Sequence, residues 1–227
     1  MQIEIVHRPA NSAAKVLLDP GESLTAEGGA MIAMSDHLGI ETTTHKRGKG
    51  SMMGALKRML TGESFFLNHY TASRGAGEVI LATTLSGDML EYTMNGPDLI
   101  VQAGSFVACA PTVEMDMSWQ GFGKAIFSGE SMFWIRMSGS GPLILSAFGA
   151  IYPIQVDGEV IVDTGHIVAF EESLSWEITK AGQSWISSFL GGEGLVAKFK
   201  GQGTVWCQSH NADSFGVALG PKLRPRG

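Results

Sequence analysis

A chain of 227 residues, 44% of them hydrophobic, can bury a core large enough to hold a fold without disulfides or metal. Its two cysteines, Cys109 and Cys207, are too few for a disulfide-built secreted scaffold and fit a reducing compartment, so a cytoplasmic location is expected. The formal net charge of −6 argues against broad nucleic-acid binding, which draws its affinity from lysines and arginines displacing condensed counterions.

Residues Met1 to Pro9 alternate apolar and polar side chains, with Glu4 where a signal peptide requires an unbroken apolar stretch, and they read as a first strand. No run approaches the roughly 18 consecutive apolar residues of a membrane span. No Arg-rich, acid-poor presequence is present, so neither bilayer crossing nor organelle import is expected. Thirty glycines against eight prolines suit many tight turns better than long helices, where each glycine costs about 1 kcal/mol relative to alanine.

An extended segment, Glu22 to Ala26, leads into Gly29-Ala-Met-Ile-Ala-Met34. Residues 52–60 follow with Leu56, Met59 and Leu60 three and four apart, a helical spacing. Gly62-Glu63-Ser64 then precedes the apolar run Phe65-Phe66-Leu67, and Glu78 to Ala82 reads as a closing strand. The same order returns as Asp98 to Gln102, Gly104 to Cys109, Phe122 to Phe127, Gly129-Glu130-Ser131 with Met132 to Ile135, and Pro142 to Ser146. It returns again as Glu159 to Asp163, Gly165 to Phe170, Trp185 to Leu190, Gly192-Glu193-Gly194 with Leu195 to Phe199, and Thr204 to Gln208.

From first glycine to second the separations are 33, 25 and 27 residues, so the first unit differs by an insertion that includes Lys46 to Ser51. Each unit reads as strand, glycine turn, strand, one or two helical turns, and two further strands. The chain is thus expected to be one structural unit of three internal repeats, approximately 1–95, 96–157 and 158–220, with 221–227 as a frayed basic tail. No helix is long enough for a βαβ crossover, so the class is all-β, a sandwich or barrel with pseudo-threefold character.

The glycine-plus-apolar signature and the Gly-Glu signature, each present three times in this order from Met1 to about Leu219, resemble a widespread bacterial family. That family is related to a yeast mitochondrial protein named for altered inheritance of mitochondria. The resemblance implies three TRAP-like subdomains in one chain, each similar to a subunit of the tryptophan RNA-binding attenuation protein and akin to a shortened double-stranded β-helix. It also implies assembly as a homotrimer. It does not imply RNA binding, because the attenuation protein reads RNA with regularly placed basic side chains, and no basic residue is expected at equivalent positions here. The resemblance supplies no catalytic residue and no cofactor.

Glu63, Glu130 and Glu193 could converge on a cation, but a glycine-acid pair before a strand more commonly forms a turn whose carboxylate accepts backbone N–H groups. His37, Glu41 and His45 share parity on one extended segment, yet residues 37 and 45 would lie roughly 27 Å apart at about 3.3 Å per residue, too far for one ion. Cys109 occupies the apolar end of its signature, where Met34 and Phe170 are its counterparts, and reads as a core residue. His166 stands at a variable position and needs no role beyond solvent exposure. No Gly-x-Ser-x-Gly elbow and no Walker loop are present.

One concentration of positive charge, Lys46, Arg47, Lys49, Lys57 and Arg58, flanks the apolar stretch Met52 to Leu56. It could receive an anionic partner or lie on an anionic membrane surface, although charge runs are commonly only solvating. The leading expectation is a non-enzymatic oligomeric scaffold or binding protein, with Trp119, Phe122, Trp185 and Ile186 as buried packing residues. Two readings compete with it: a small-ligand-binding protein or enzyme with a pocket in or between β units, and peripheral membrane association through residues 46–58.

Overall fold

The computed structural model describes residues 1–45, 65–117, 134–180 and 195–223. Strands dominate them, and every pairing between named strands is antiparallel. The first stretch holds β1 (Gln2–Val6), β2 (Ala13–Leu18), β3 (Ser23–Glu27), β4 (Met31–Met34), β5 (Gly39–His45), β6 (Phe65–Thr71) and β7 (Gly77–Leu81). Next come β8 (Met89–Met94), β9 (Leu99–Gln102), β10 (Phe106–Cys109), β11 (Val113–Asp116), β12 (Trp134–Gly139) and β13 (Gly141–Ser146). The last stretch holds β14 (Ile151–Asp163), β15 (Ile167–Glu171), β16 (Ser175–Lys180) and β17 (Leu195–Gln208), then the helix α1 (Ala212–Leu219).

The alternation read in the sequence is present where a strand has one wet face. In β2, Lys15 and Leu17 point to solvent while Ala14, Val16 and Leu18 are fully buried, as a period of two requires. The central strands β9 and β10 are apolar on both faces and buried on both, the pattern of a strand covered from two sides.

Among the described residues these strands form three sheets. One runs β1-β2-β7-β4, a second β5-β6-β3-β10-β13-β8, and a third β11-β12-β9-β15-β17-β14, with β16 also on β17. The long strands β14 and β17 pair along their whole length, and at the middle Gly158 stands opposite Gly201. Both have positive φ, +102 and +119, a backbone that only glycine adopts freely. Residues on either side of this point pair with different neighbours, β15 on one side and β16 on the other.

The core lies between the sheets and crosses sequence boundaries. Leu24, Ala26 and Tyr70 cluster with Val107 and Ile144, while Leu99, Val101 and Met137 cluster with Val168 and Trp206. Fully burying such side chains stabilises by about 1.5–3 kcal/mol each, against roughly 0–1 kcal/mol for an exposed ion pair, so packing carries the fold.

Three chain segments also meet before β2, β8 and β14. The Ser12 N–H donates to the Gly87 carbonyl at 2.9 Å, and the Asp88 N–H donates to the Gly149 carbonyl at 2.8 Å. A Cβ on Gly87 would fall 1.8 Å from the Ala147 carbonyl oxygen, so this approach requires glycine. Asp88, 4% exposed, accepts two hydrogen bonds from the Arg8 guanidinium at 2.9 and 2.8 Å, one from the Ser12 hydroxyl at 2.8 Å and one from the Met89 N–H at 2.8 Å. Burial pushes its carboxyl up, but Arg8, Ser12 and the backbone outweigh burial and leave it below the ordinary value.

The structure also contains an element the sequence reading omitted. Helix α1 is capped by the Asn211 side chain, which accepts from the Asp213 and Ser214 N–H groups at 2.9 and 3.1 Å. It lies on the surface, with Phe215 against Phe148 at a ring separation of 5.5 Å. A 3-10 turn at Gly220–Lys222 follows.

Asp88→Ala is expected to lower stability by about 2–4 kcal/mol, because it strands the Ser12 hydroxyl and the Met89 N–H in a buried site. Asp88→Asn, which keeps an acceptor, should cost less. Urea denaturation midpoints at constant slope measure both.

Candidate functional site

The residues singled out from sequence are placed unevenly. Gly29 sits in the turn before β4 at φ +95, while Gly104 and Gly165 lie in single 3-10 turns, Ala103–Ser105 and Thr164–His166, leading into β10 and β15. At Gly165 a Cβ would come 2.1 Å from the Asn211 amide nitrogen, and the Asp163 carboxylate accepts from its N–H at 2.8 Å. Gly62, Glu63, Gly129, Glu130, Gly192 and Glu193 lie outside the described residues. So do Lys46, Arg47, Lys49, Lys57 and Arg58, the short segments 52–60, 122–127 and 185–190, and Trp119, Phe122, Trp185 and Ile186.

His37 falls in the turn before β5, where its Nε2 donates to the Ala76 carbonyl at 2.8 Å, and Glu41 lies within β5. Among the described residues no group of three or more His, Cys, Asp or Glu side chains is placed to hold a metal ion. Cys109 and Cys207 are free and buried, and burial pushes both thiols up to about 12. Such groups keep their protons at neutral pH and are poor nucleophiles. His166 departs from its expected solvent exposure. It is half-buried, with Nδ1 donating to the Gln208 carbonyl at 2.8 Å, because its turn packs against the end of β17.

Strand register corrects a second expectation, that no basic side chain recurs at matching positions. His69 of β6 stands between Thr25 and Glu41, Arg136 of β12 between Ile100 and Asp116, and Lys198 of β17 between Ile161 and Glu177. The residue types differ, but His69 and Arg136 each stand seven residues after the glycine of their Gly-Glu pair and Lys198 six, so the spacing already carried the recurrence. These groups are committed to their neighbours. The His69 ring nitrogens meet the hydroxyls of Thr25 and Thr43 at 2.9 and 2.7 Å. Arg136 donates to Glu172 at 2.8 Å and pairs with Asp98 at 2.9 Å, and Lys198 pairs with Glu159 at 2.6 Å. Lys198 and Lys200 together hold the Glu159 carboxyl below its ordinary value. A cation already matched to a carboxylate in this way has little left to offer a phosphate.

What the surface does present is apolar backbone edge, which sequence inspection missed. In β4, Met31 is 40% and Ile32 59% exposed, and Ile161 in the second half of β14 is 61% exposed. Among the described residues β4 pairs only with β7, and that half of β14 pairs only with β17. Unpaired N–H and C=O groups lined by apolar side chains are a template for another strand.

Residues 3–210 match the family model described as AIM24, mitochondrial biogenesis AIM24. An uncharacterised protein of Streptococcus pyogenes serotype M6 is 29% identical over 207 residues, covering 89% of this chain and 83% of its own length. The X-ray crystal structure of a Streptococcus pyogenes protein aligns with a TM-score of 0.78 at 26% identity, covering 98% of this chain and 99% of that one. Neither relative carries a stated activity.

One titratable group sits beside this framework in an unusual state. Burial pushes the Glu27 carboxyl, at the end of β3, up to about 7. The unfolded chain therefore releases this proton first as pH rises, so the contribution is full below about pH 4.5 and is lost by about pH 7. Glu27→Gln should gain about 2 kcal/mol over the native chain between pH 5 and pH 8, read from thermal or urea unfolding at both values. A pH-independent difference would assign Glu27 an ordinary carboxylate.

Proposed function

We propose that this chain, which belongs to the mitochondrial biogenesis AIM24 family, is a non-enzymatic oligomeric scaffold or binding protein built from three related β units. The order of strand pairing carries this reading. In the first unit β7 lies between β2 and β4, and β6 between β5 and β3. In the second, β13 lies between β8 and β10, and β12 between β11 and β9. In the third, one half of β17 lies between β14 and β15, and its other half between β14 and β16. A six-stranded plan repeated in this way supports three units akin to the subunit of the tryptophan RNA-binding attenuation protein, with breaks between β7 and β8 and between β13 and β14 rather than at the expected 95/96 and 157/158, which would part β8 from its unit and split β14.

Three further observations fit a scaffold. The matching side chains His69, Arg136 and Lys198 are engaged in structural contacts, which speaks against nucleic acid as the partner. The two buried thiols suit a reducing, cytoplasmic setting. The exposed apolar edges of β4 and β14 favour self-association, and the assembly proposed is a homotrimer.

Native mass spectrometry of the purified chain at micromolar concentration is expected to return about 72 kDa, three times the 24.1 kDa chain. A single-chain mass would sink the oligomeric reading.

A further inference from the structure

We propose that the assembly forms head to tail, with the outer edge of β4 in one copy adding antiparallel to the outer edge of β14, at Glu159–Asp163, in the next copy. This rests on the oligomeric, three-unit reading and identifies its interface and its partner, a second copy of this chain.

The chain itself makes this joint twice. β10 of the second unit pairs with β3 of the first, with Ala108 opposite Ala26 and Cys109 opposite Thr25. β15 of the third pairs with β9 of the second, with Ala169 opposite Val101 and Phe170 opposite Ile100. Counted from Gly29, Gly104 and Gly165, the two registers are the same. The strand corresponding to β10 and β15 in the first unit is β4, and the strand corresponding to β3 and β9 in the third unit is the second half of β14. These are the two that lack that neighbour among the described residues.

Burial follows the same division. Phe106, Val107, Ala108 and Cys109 are 0–1% exposed, and so are Ile167, Val168, Ala169 and Phe170, whereas their counterparts Met31 and Ile32 are 40% and 59% exposed. On the receiving side Thr25 is 8% and Ile100 0% exposed, but Ile161 is 61%. In all three donor strands a bulge falls at one place, between Met31 and Ala33, between Phe106 and Ala108, and between Ile167 and Ala169. The bulged residue is the plug. Val107 joins the core cluster of Leu24 and Ala26, and Val168 that of Leu99 and Val101. Ile32 is the third such residue, and its matching seat is Val160 and Val162 of another copy.

Register then follows without adjustment, with Ala33 opposite Val162 and Met34 opposite Ile161 across the joint. The composite sheet would run β16-β17-β14 from one copy into β4-β7-β2-β1 of the next, like the six-stranded order already seen within the chain. A joint between unlike edges leaves each copy with one donor and one acceptor, so copies add until the ring closes. A β4-to-β4 dimer is disfavoured because no two donor strands pair among the described residues. Nothing on β4 opposes docking, since Met-Ile-Ala-Met contains no proline and no charge to guard the edge.

The test uses the full-length chain with two single variants at exposed positions, Ile32→Lys on the donor edge and Ile161→Lys on the acceptor edge. Each should keep the native circular dichroism spectrum and run as a monomer, a loss of at least about 100-fold in association, since each buries a charge in an apolar joint. Mixed one to one, they should form a dimer and nothing larger, because each retains the edge the other lacks. The double variant Met34→Cys with Ile161→Cys should oxidise to linked chains on non-reducing gels, as directly opposed strand residues lie within disulfide reach, while either single cysteine should not. An oligomeric native chain whose lysine variants stay oligomeric and whose cysteine pair does not link would overturn the joint but keep the oligomeric reading. Folded lysine variants that stay monomeric when mixed would also overturn it. A monomeric native chain would overturn both.

Discussion

Antiparallel pairing of β3 with β10 and of β9 with β15 is the interaction on which the rest of the structure depends. The first pairing makes a six-stranded sheet and the second a seven-stranded one, and each seats a bulge valine, Val107 or Val168, in the neighbouring core. Buried backbone N–H and C=O groups must find partners, so a plan that joins its parts through sheet edges satisfies them wherever a following part exists. It leaves edges of opposite type at β4 and β14, and those edges are where the chain's function is proposed to reside.

The polar groups serve that framework. Asp88 gathers Arg8, Ser12 and the Met89 N–H where the segments before β2 and β8 meet. Arg136 on β12 reaches Asp98 beside β9 and Glu172 at the end of β15, tying adjacent sheet strands together. The thiols are held protonated in the core. These groups are positioned by folding and engaged within it.

Much of the strand framework was legible in sequence. The expected strands at 22–26, 78–82, 98–102 and 142–146 coincide with β3, β7, β9 and β13 to within a residue or two, because short β-rich runs bounded by glycine carry a local signal, whereas 159–163 is only the second half of β14 and 204–208 only the last part of β17. Helix α1 was not legible. Its eight exposed residues have little periodic apolar face, and its start depends on the Asn211 cap. His166 was misjudged because its partner is a carbonyl forty-two residues away, on β17.

By itself the sequence determined the all-β class, the glycine turns at Gly29, Gly104 and Gly165, and the family, since each depends on residue types at short range. Only tertiary structure decided which edges are paired and which apolar residues remain exposed. Gly-Ala-Met-Ile-Ala-Met and Gly-Ser-Phe-Val-Ala-Cys are nearly interchangeable as local strings. Yet Ile32 faces solvent and Val107 is buried, because a neighbouring strand covers one and not the other. Hydrophobicity is a property of the side chain, but burial is a property of what lies beside it.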